Sequence, residues 1–196
     1  MDVIRYDELV ETPWKNCGGV TREIATAQSS SSFLWRLSMA DVTEDGAFSD
    51  FAGVMRVLTV IKGGSITLKY DTDALLATLW EPVQFDGASK VHATLNDGPL
   101  TDLNLMFDPK RCEGRVETLR GPHQKFLELK AQRTYAIHIL AGGAKFGSDL
   151  HLQTGDTLLL TSTTGQIDLG RDAACLLITI DADPQIEASK LVIAAR

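Results

Sequence analysis

The sequence predicts an all-β fold in which antiparallel strands form a double-stranded β-helix, or jelly-roll. Two observations support this prediction. Short runs rich in β-branched and aromatic residues follow one another, separated by glycine, aspartate, asparagine or proline. Helical periodicity is limited to two short candidates, YDELV (6–10) and the tail PQIEASKLV (184–192).

The apolar runs place the predicted strands along the whole chain, each bounded by turn residues. In chain order they are VTREIAT (20–26), FLWRLSMADV (33–42), VMRVLTVI (54–61), SITLKYD (65–71), KVHATL (90–95), DLNLMF (102–107), KFLEL (125–129), TYAIHIL (134–140), DTLLLTS (156–162), QIDL (166–169) and ACLLITID (174–181).

Two segments of the chain repeat each other. VLTVIKGGSITL (57–68) and YAIHILAGGAKF (135–146) each contain a strand, a Gly-Gly turn and a second strand, with Gly63 and Gly142 79 residues apart. LNLMFD (103–108) and LLITID (176–181) follow at an offset of 73 residues. A duplicated β unit explains both offsets. With the Gly-Asp turn of LQTGDTLLL (152–160), this predicts two cupin-like units, 1–110 and 111–196, packed as a compact bicupin.

Composition and charge exclude several classes of protein. The net charge of −7 and the isoelectric point near 5.0 argue against nucleic acid or an anionic membrane as a partner. The three cysteines, Cys17, Cys112 and Cys175, have no CxxC spacing, so we expect neither a disulfide framework nor a cysteine zinc site. An acidic first segment and the lack of a long apolar run predict a cytoplasmic protein.

The sequence shows no motif for a metal or a catalytic nucleophile. The four histidines, His92, His123, His138 and His151, contain no HxH pair, the spacing that many cupins use for a metal. A GxSxG elbow is also missing. We therefore expect no metal and no cofactor.

Polar residues recur on one face of several predicted strands. Period-two alternation separates Arg36 and Ser38 from the apolar residues between and beside them, and does the same for Asp102 and Asn104. Arg22 instead shares its face with apolar neighbours. Alternation leaves open whether these faces look into a barrel mouth or into water.

A pocket that collected these residues would carry an excess of positive charge. Lys15, Arg22, Arg36 and Arg56 outnumber Asp102, and a buried arginine requires a carboxylate partner or an anionic ligand. Such a pocket would attract a small carboxylate through bidentate arginine contacts.

Three blocks of this sequence resemble the HutD/Ves family: PWKNCGGVTREI (13–24), WRLSMADVTEDGAFSDFAGVMRVLTVIKG (35–63) and GPLTDLNLMF (98–107). The resemblance implies a double cupin without a catalytic metal. It also implies a role in bacterial histidine utilisation, in which the protein modulates the pathway by binding an intermediate. The candidate ligands are the carboxylates urocanate and N-formylglutamate.

The matching blocks also imply a set of ligand-binding residues, with Pro13 and Trp14 anchoring the first block. The implied ligand-binding residues are Lys15, Asn16, Thr21, Arg22, Arg36, Ser38, Arg56, Asp102 and Asn104. Cys17 stands where the family pattern has a glycine, and the segment after Phe107 also departs from that pattern.

Three functions are compatible with the sequence. The first is a non-enzymatic regulator that binds a small carboxylate, with a possible protein partner in regulation. The second is a metal-free cupin enzyme, an isomerase or hydrolase, with Asp102 or a histidine as general base. The third is a protein-interaction module that uses exposed parts of the β-sheets.

Overall fold

The computed structural model describes residues 1–15, 17–29, 32–128, 130–185 and 190–193, and these residues form an almost entirely β structure. The strands are β1 (Asp2–Ile4), β2 (Glu11–Pro13), β3 (Gly19–Ser29), β4 (Ser32–Val42), β5 (Gly46–Ala47), β6 (Met55–Gly63), β7 (Ile66–Lys69), β8 (Ala74–Ala77), β9 (Val83–Asp86), β10 (His92–Leu95), β11 (Leu100–Phe107), β12 (Cys112–Arg120), β13 (His123–Leu127), β14 (Arg133–Ala141), β15 (Gly143–Phe146), β16 (Leu150–Gln153), β17 (Thr157–Leu160), β18 (Gly165–Leu169), β19 (Ala174–Ala182) and β20 (Lys190–Ile193). The all-β prediction is confirmed.

The chain divides into two compact units. The first unit contains Val10–Cys112 together with β20, and the second contains Met1–Leu9 together with Glu113–Gln185. The N-terminal strand β1 therefore belongs to the second unit, where it pairs with β17. The sequence-based boundary between 110 and 111 stays a prediction.

The first unit consists of two antiparallel sheets. One sheet has the strand order β2-β3-β4-β11-β6-β9, with β20 also paired to β3, and the other has the order β5-β10-β7-β8. Apolar side chains from both sheets meet in one core, which includes Leu58, Val60, Ile66, Leu68 and Ala93. This sheet-on-sheet arrangement is the jelly-roll that alternating strand patterns predict.

The second unit repeats the same plan. Its sheets have the orders β1-β17-β14-β19-β12 and β13-β18-β15-β16. Its core includes Ile137, Ile139, Phe146, Leu158 and Leu177.

Strand register supports the duplication. In the first unit β11 pairs with β6 so that Asn104 lies opposite Leu58, and in the second unit β19 pairs with β14 so that Leu177 lies opposite Ile137. These pairs are related by the same offsets of 79 and 73 residues that the sequence shows.

The Gly-Gly turns are also equivalent in backbone geometry. Gly63 has a φ of 94° and Gly142 a φ of 64°, both in the left-handed region that favours glycine. A Cβ on Gly63 would lie 2.6 Å from the carbonyl oxygen of Pro99, so this turn also needs the absence of a side chain.

The two predicted helices have different outcomes. Within YDELV, Tyr6–Glu8 forms a single 3-10 turn. The tail prediction is wrong at its end, because Lys190–Ile193 is a strand on the edge of β3, while residues 186–189 lie outside the described residues. Pairing with an available sheet edge outweighed a weak local helical pattern. Within the described ranges, no helix is long or apolar enough to cross a membrane.

Substitutions of glycine can separate backbone strain from steric conflict. Gly63→Ala combines a positive φ with a backbone clash, so we expect it to lower the free energy of unfolding by about 3 kcal/mol. Gly98→Ala, at a φ of 87° with open space around it, should cost about 1 kcal/mol.

Gly46→Ala is the control, since an added Cβ there meets nothing within 4 Å and the backbone is an ordinary strand. Urea denaturation of the three variants measures these costs. Equal costs for Gly63→Ala and Gly98→Ala would show that the close approach of Pro99 is unimportant.

Candidate functional site

The first unit contains a cavity of about 790 Å³, a volume typical of small-molecule sites. Its walls come from β2, β3, β4, β6 and β11, and from the loop that follows β5. The cavity joins the apolar core of the unit to several charged side chains, and it is the candidate site described below.

Strand register explains why polar residues collect there. On β4 the cavity is lined by Arg36, Ser38 and Ala40, and on the adjacent β11 by Asp102 and Asn104. These are alternate residues on paired strands, so their side chains leave the sheet on the same face. Sheet pairing therefore brings together residues that are more than 60 positions apart in sequence.

A chain of hydrogen bonds, here called the polar relay, connects Arg56, Asn104 and Asp102. Arg56 Nη2 donates to Asn104 Oδ1 at 2.9 Å, and Asn104 Nδ2 donates to Asp102 Oδ1. The side chains are buried, with exposed fractions of 7% for Arg56, 6% for Asn104 and 1% for Asp102. Asp102 Oδ2 and Arg56 Nε have no hydrogen-bond partner among the described residues.

Burial changes the proton affinity of both ends of the polar relay. It raises the pKa of Asp102 to about 7, and the charge of Arg56 and the hydrogen bond from Asn104 offset only part of this effect. Burial also lowers the pKa of Arg56 to about 10, against the stabilising charge of Asp102. Near neutral pH, Arg56 is therefore a cation, while Asp102 is divided between its neutral and ionised forms.

Aromatic rings surround the guanidinium groups. The Arg56 Cζ lies 5.0 Å from the ring centroids of both Phe48 and Phe85 and 5.7 Å from that of Phe51. Arg36 Cζ lies 5.6 Å from the Phe51 centroid. Cation–π contacts of this kind stabilise a positive charge without occupying its in-plane N–H donors.

The second cation, Arg36, also retains hydrogen-bonding capacity. Its Nη2 contacts Met106 Sδ at 3.2 Å, a weak acceptor, and its Nε is buried with no partner among the described residues. Two guanidinium groups and the ammonium of Lys15 thus contribute to a cavity that holds one carboxylate, Asp102. The cavity is suited to an anionic, acceptor-rich ligand.

Most of the residues predicted from the sequence line this cavity. They are Lys15, Thr21, Arg36, Ser38, Arg56, Asp102 and Asn104. Thr21 Oγ1 accepts a hydrogen bond from Trp14 Nε1 at 2.7 Å, so the predicted anchor residue Trp14 is tied to β3. Asn16 lies outside the described residues.

Arg22 lies elsewhere. It is buried beside the cavity-lining Thr21 but does not line the cavity, and it forms ion pairs with Asp41 at 2.7 Å and Glu11 at 2.5 Å. Successive residues of a strand point to opposite faces, so Thr21 and Arg22 cannot both face the cavity. The alternation of this strand already separated Arg22 from Thr21.

The sequence-based set missed the aromatic part of the wall. Phe48 and Phe51 lie in the loop between β5 and β6, where Phe48 N–H donates to the Val91 carbonyl at 2.9 Å and Phe51 N–H to that of Gly87 at 2.8 Å. Loop residues have no periodicity to reveal which way they point. The only available signal was their place inside the second family-like block.

The second unit replaces the polar relay with apolar residues. The positions that correspond to the relay by the repeat offsets are Tyr135, Cys175 and Leu177, and all three belong to the core of that unit. Across the described residues, no group of three or more histidine, cysteine, aspartate or glutamate side chains could hold a metal ion.

The HutD family model matches residues 6–177 of this chain. The chain belongs to the HutD family. Among its relatives, protein Ves of Citrobacter koseri is 36% identical over 163 residues, which cover 80% of this chain and 78% of Ves. A 21.2 kDa protein from the hutC 3′ region of Pseudomonas putida is 36% identical over 124 residues, 62% of this chain and 65% of that protein.

Solved structures agree with this assignment. HutD from Pseudomonas fluorescens SBW25, in a formate condition, has a TM-score of 0.82 and 31% identity, covering 93% of this chain and 98% of that chain. A cupin 2 conserved barrel domain protein from Leptotrichia buccalis, with a TM-score of 0.56 and 8% identity over 93% of this chain and 96% of its own, shows the fold alone. The predicted family and the cupin fold are confirmed, and the family is linked to the histidine utilisation region.

The buried carboxyl group of Asp102 should make stability depend on pH. Its pKa in the folded state, about 7, lies above the ordinary value, so the folded protein binds the proton more tightly than the unfolded chain does. Charging Asp102 therefore costs stability as pH rises from about 4 to about 7. Asp102→Asn, which keeps the shape and removes the charge, should gain about 2 kcal/mol relative to the wild type between pH 5 and pH 8.

Urea denaturation of both proteins at the two pH values checks this. Asp50→Asn is the matched control, because Asp50 is exposed and does not line the cavity. A stability difference between wild type and Asp102→Asn that is the same at both pH values would contradict a proton on Asp102.

Proposed function

We propose that this HutD-family protein is a non-enzymatic binding protein that captures a small carboxylate of histidine degradation, urocanate or N-formylglutamate, and thereby modulates histidine utilisation. The ligand lies in the cavity of the first unit, without a metal. A regulatory protein partner receives the signal.

The observation that carries this proposal is the excess of positive charge inside a nearly closed polar pocket. Lys15, Arg36 and Arg56 face a cavity with one carboxylate, and the Nε atoms of both arginines are buried without a partner among the described residues. An unsatisfied buried donor costs about 1–3 kcal/mol. A ligand carboxylate would satisfy these donors and compensate the charge.

The aromatic rings favour a ligand with a flat or partly apolar body. Phe48 and Phe51 line the same cavity as the arginines. A carboxylate next to an imidazole ring or a short aliphatic chain would fill both kinds of surface. Both candidate ligands have this character.

Calorimetric titration with urocanate and, separately, with N-formylglutamate tests the proposal. We expect saturable binding by one of them at about pH 6, with a Kd near 1 μM, or about −8 kcal/mol. Arg36→Gln should weaken binding at least about 30-fold, because it removes a charged donor from a desolvated site.

Lys62→Ala is the control for net charge, since Lys62 is exposed on β6 and does not line the cavity. It should bind as the wild type does. Absence of binding by both compounds would contradict the proposed function.

A second function, a metal-free isomerase or hydrolase, is favoured by one observation. The pKa of Asp102, raised by burial to about 7, is suited to a general base near neutral pH. The alternative base, a histidine, has no support, because none of the described cavity-lining residues is a histidine.

Incubation with each candidate separates binding from turnover. If the protein is an enzyme, urocanate absorbance or N-formylglutamate should decline over many equivalents of substrate, and Asp102→Asn should reduce the rate at least about 100-fold. If it is a binding protein, the compound is recovered unchanged after saturation, which is the outcome we expect.

A further inference from the structure

We propose that Asp102 meets the bound carboxylate as the neutral acid, donating a hydrogen bond from Oδ2, so that capture of one ligand takes up one proton from solution. This inference rests on the proposed function of the cavity. It adds a specific role for a residue that would otherwise repel an anionic ligand.

The geometry of the polar relay determines which oxygen of Asp102 is available. Arg56 donates to Asn104 Oδ1, so the amide nitrogen of Asn104 must be the group that contacts Asp102. That nitrogen is a donor, so Asp102 Oδ1 is an acceptor. The proton of the neutral acid therefore resides on Oδ2, the atom without a partner among the described residues.

Asp102 Oδ2 is buried but belongs to a residue that lines the cavity. A buried oxygen without a hydrogen bond costs about 1–3 kcal/mol, so a molecule in the cavity gains affinity by supplying the missing partner. A carboxylate ligand offers acceptor oxygens only. The contact between two carboxyl groups is therefore favourable when one of them holds a proton.

The charges on the surrounding strands favour this proton once the ligand is present. Arg56 on β6 and Arg36 on β4 stabilise the ionised form of Asp102 in the empty cavity, as does Lys15 to the extent that it approaches. Asp41, farther along β4, acts in the opposite direction. A bound anion would engage the same three cations and add a like charge beside Asp102.

The remaining neighbours do not change this balance. On β3 the cavity is lined by Thr21, whereas Arg22 is paired with Asp41 and Glu11, and Glu23 does not line the cavity. The phenol of Tyr70, after β7, interacts with Arg56, and burial raises its pKa, so it stays neutral. Burial already brings the pKa of Asp102 to about 7, within reach of full protonation.

The sign of the pH effect follows from linkage. Below the pKa of the free protein, Asp102 is already neutral and binding takes up little proton. Above it, each bound ligand must bring a proton, so affinity falls by up to about tenfold per pH unit. If a ligand N–H donated to ionised Asp102 instead, affinity would rise with pH.

Calorimetric titration of the full chain with N-formylglutamate, in phosphate and in Tris at about pH 6 and about pH 8.5, measures the proton uptake directly. The buffers differ in ionisation enthalpy, so the difference in heat gives the number of protons taken up. N-formylglutamate is the cleaner probe, because its carboxyl groups do not titrate in this range. Urocanate is a second probe whose own imidazole titration is removed by subtracting the Asp102→Asn result.

We expect close to one proton at about pH 8.5, little at about pH 6, and a Kd that rises at least about tenfold between them. Asp102→Asn should lose the proton uptake and the pH dependence. Asp50→Asn, which changes an exposed carboxylate outside the cavity, should retain both.

Binding without proton uptake at about pH 8.5 overturns this inference and leaves the proposed function intact. The same holds if affinity rises with pH or if Asp102→Asn still takes up a proton. If that variant does not fold, proton uptake by the wild type decides. No binding of either probe at about pH 6, where Asp102 is neutral, instead contradicts the proposed function and this inference with it.

Discussion

The hydrogen-bond chain from Arg56 through Asn104 to Asp102 is the interaction on which the cavity of the first unit depends. A guanidinium and a carboxyl group are both removed from water here, and each would be costly alone. Asn104 couples them without direct contact, so neither side chain satisfies the other completely. The unused atoms, Arg56 Nε and Asp102 Oδ2, are the ones that a ligand can engage.

The second unit shows what the same fold becomes without this chain. Tyr135, Cys175 and Leu177 occupy the corresponding positions and pack into a continuous apolar core. Such a core is stabilised by burial of apolar area and leaves no polar group that requires a ligand. The duplicated fold thus carries two different interiors, and the difference is confined to side chains on equivalent strands.

The sequence predicted the fold well because strand patterns and Gly-Gly turns are local signals. It also predicted Arg36, Ser38, Asp102 and Asn104 as a group, since period-two alternation separates them from apolar neighbours. It could not locate Phe48 or Phe51, because loop direction depends on backbone hydrogen bonds to Val91 and Gly87, far along the chain.

Charge pairing was the other feature that the sequence could not resolve. Arg22 was grouped with the ligand-binding residues, yet it pairs with Asp41 and Glu11. An arginine on a strand gives the same signal whether its partner is a ligand or a carboxylate on a neighbouring strand. Only the register of β2, β3 and β4 distinguishes these cases.

The overall charge of the protein restricts how it can recognise an anion. At a net charge of −7, the long-range field repels a carboxylate ligand rather than steering it toward the cavity. Affinity must therefore come from short-range contacts inside the desolvated site, where Arg36 and Arg56 are screened little by salt. Selectivity then depends on the shape and the protonation state of the cavity, and both are determined at Asp102 and the residues that hold it.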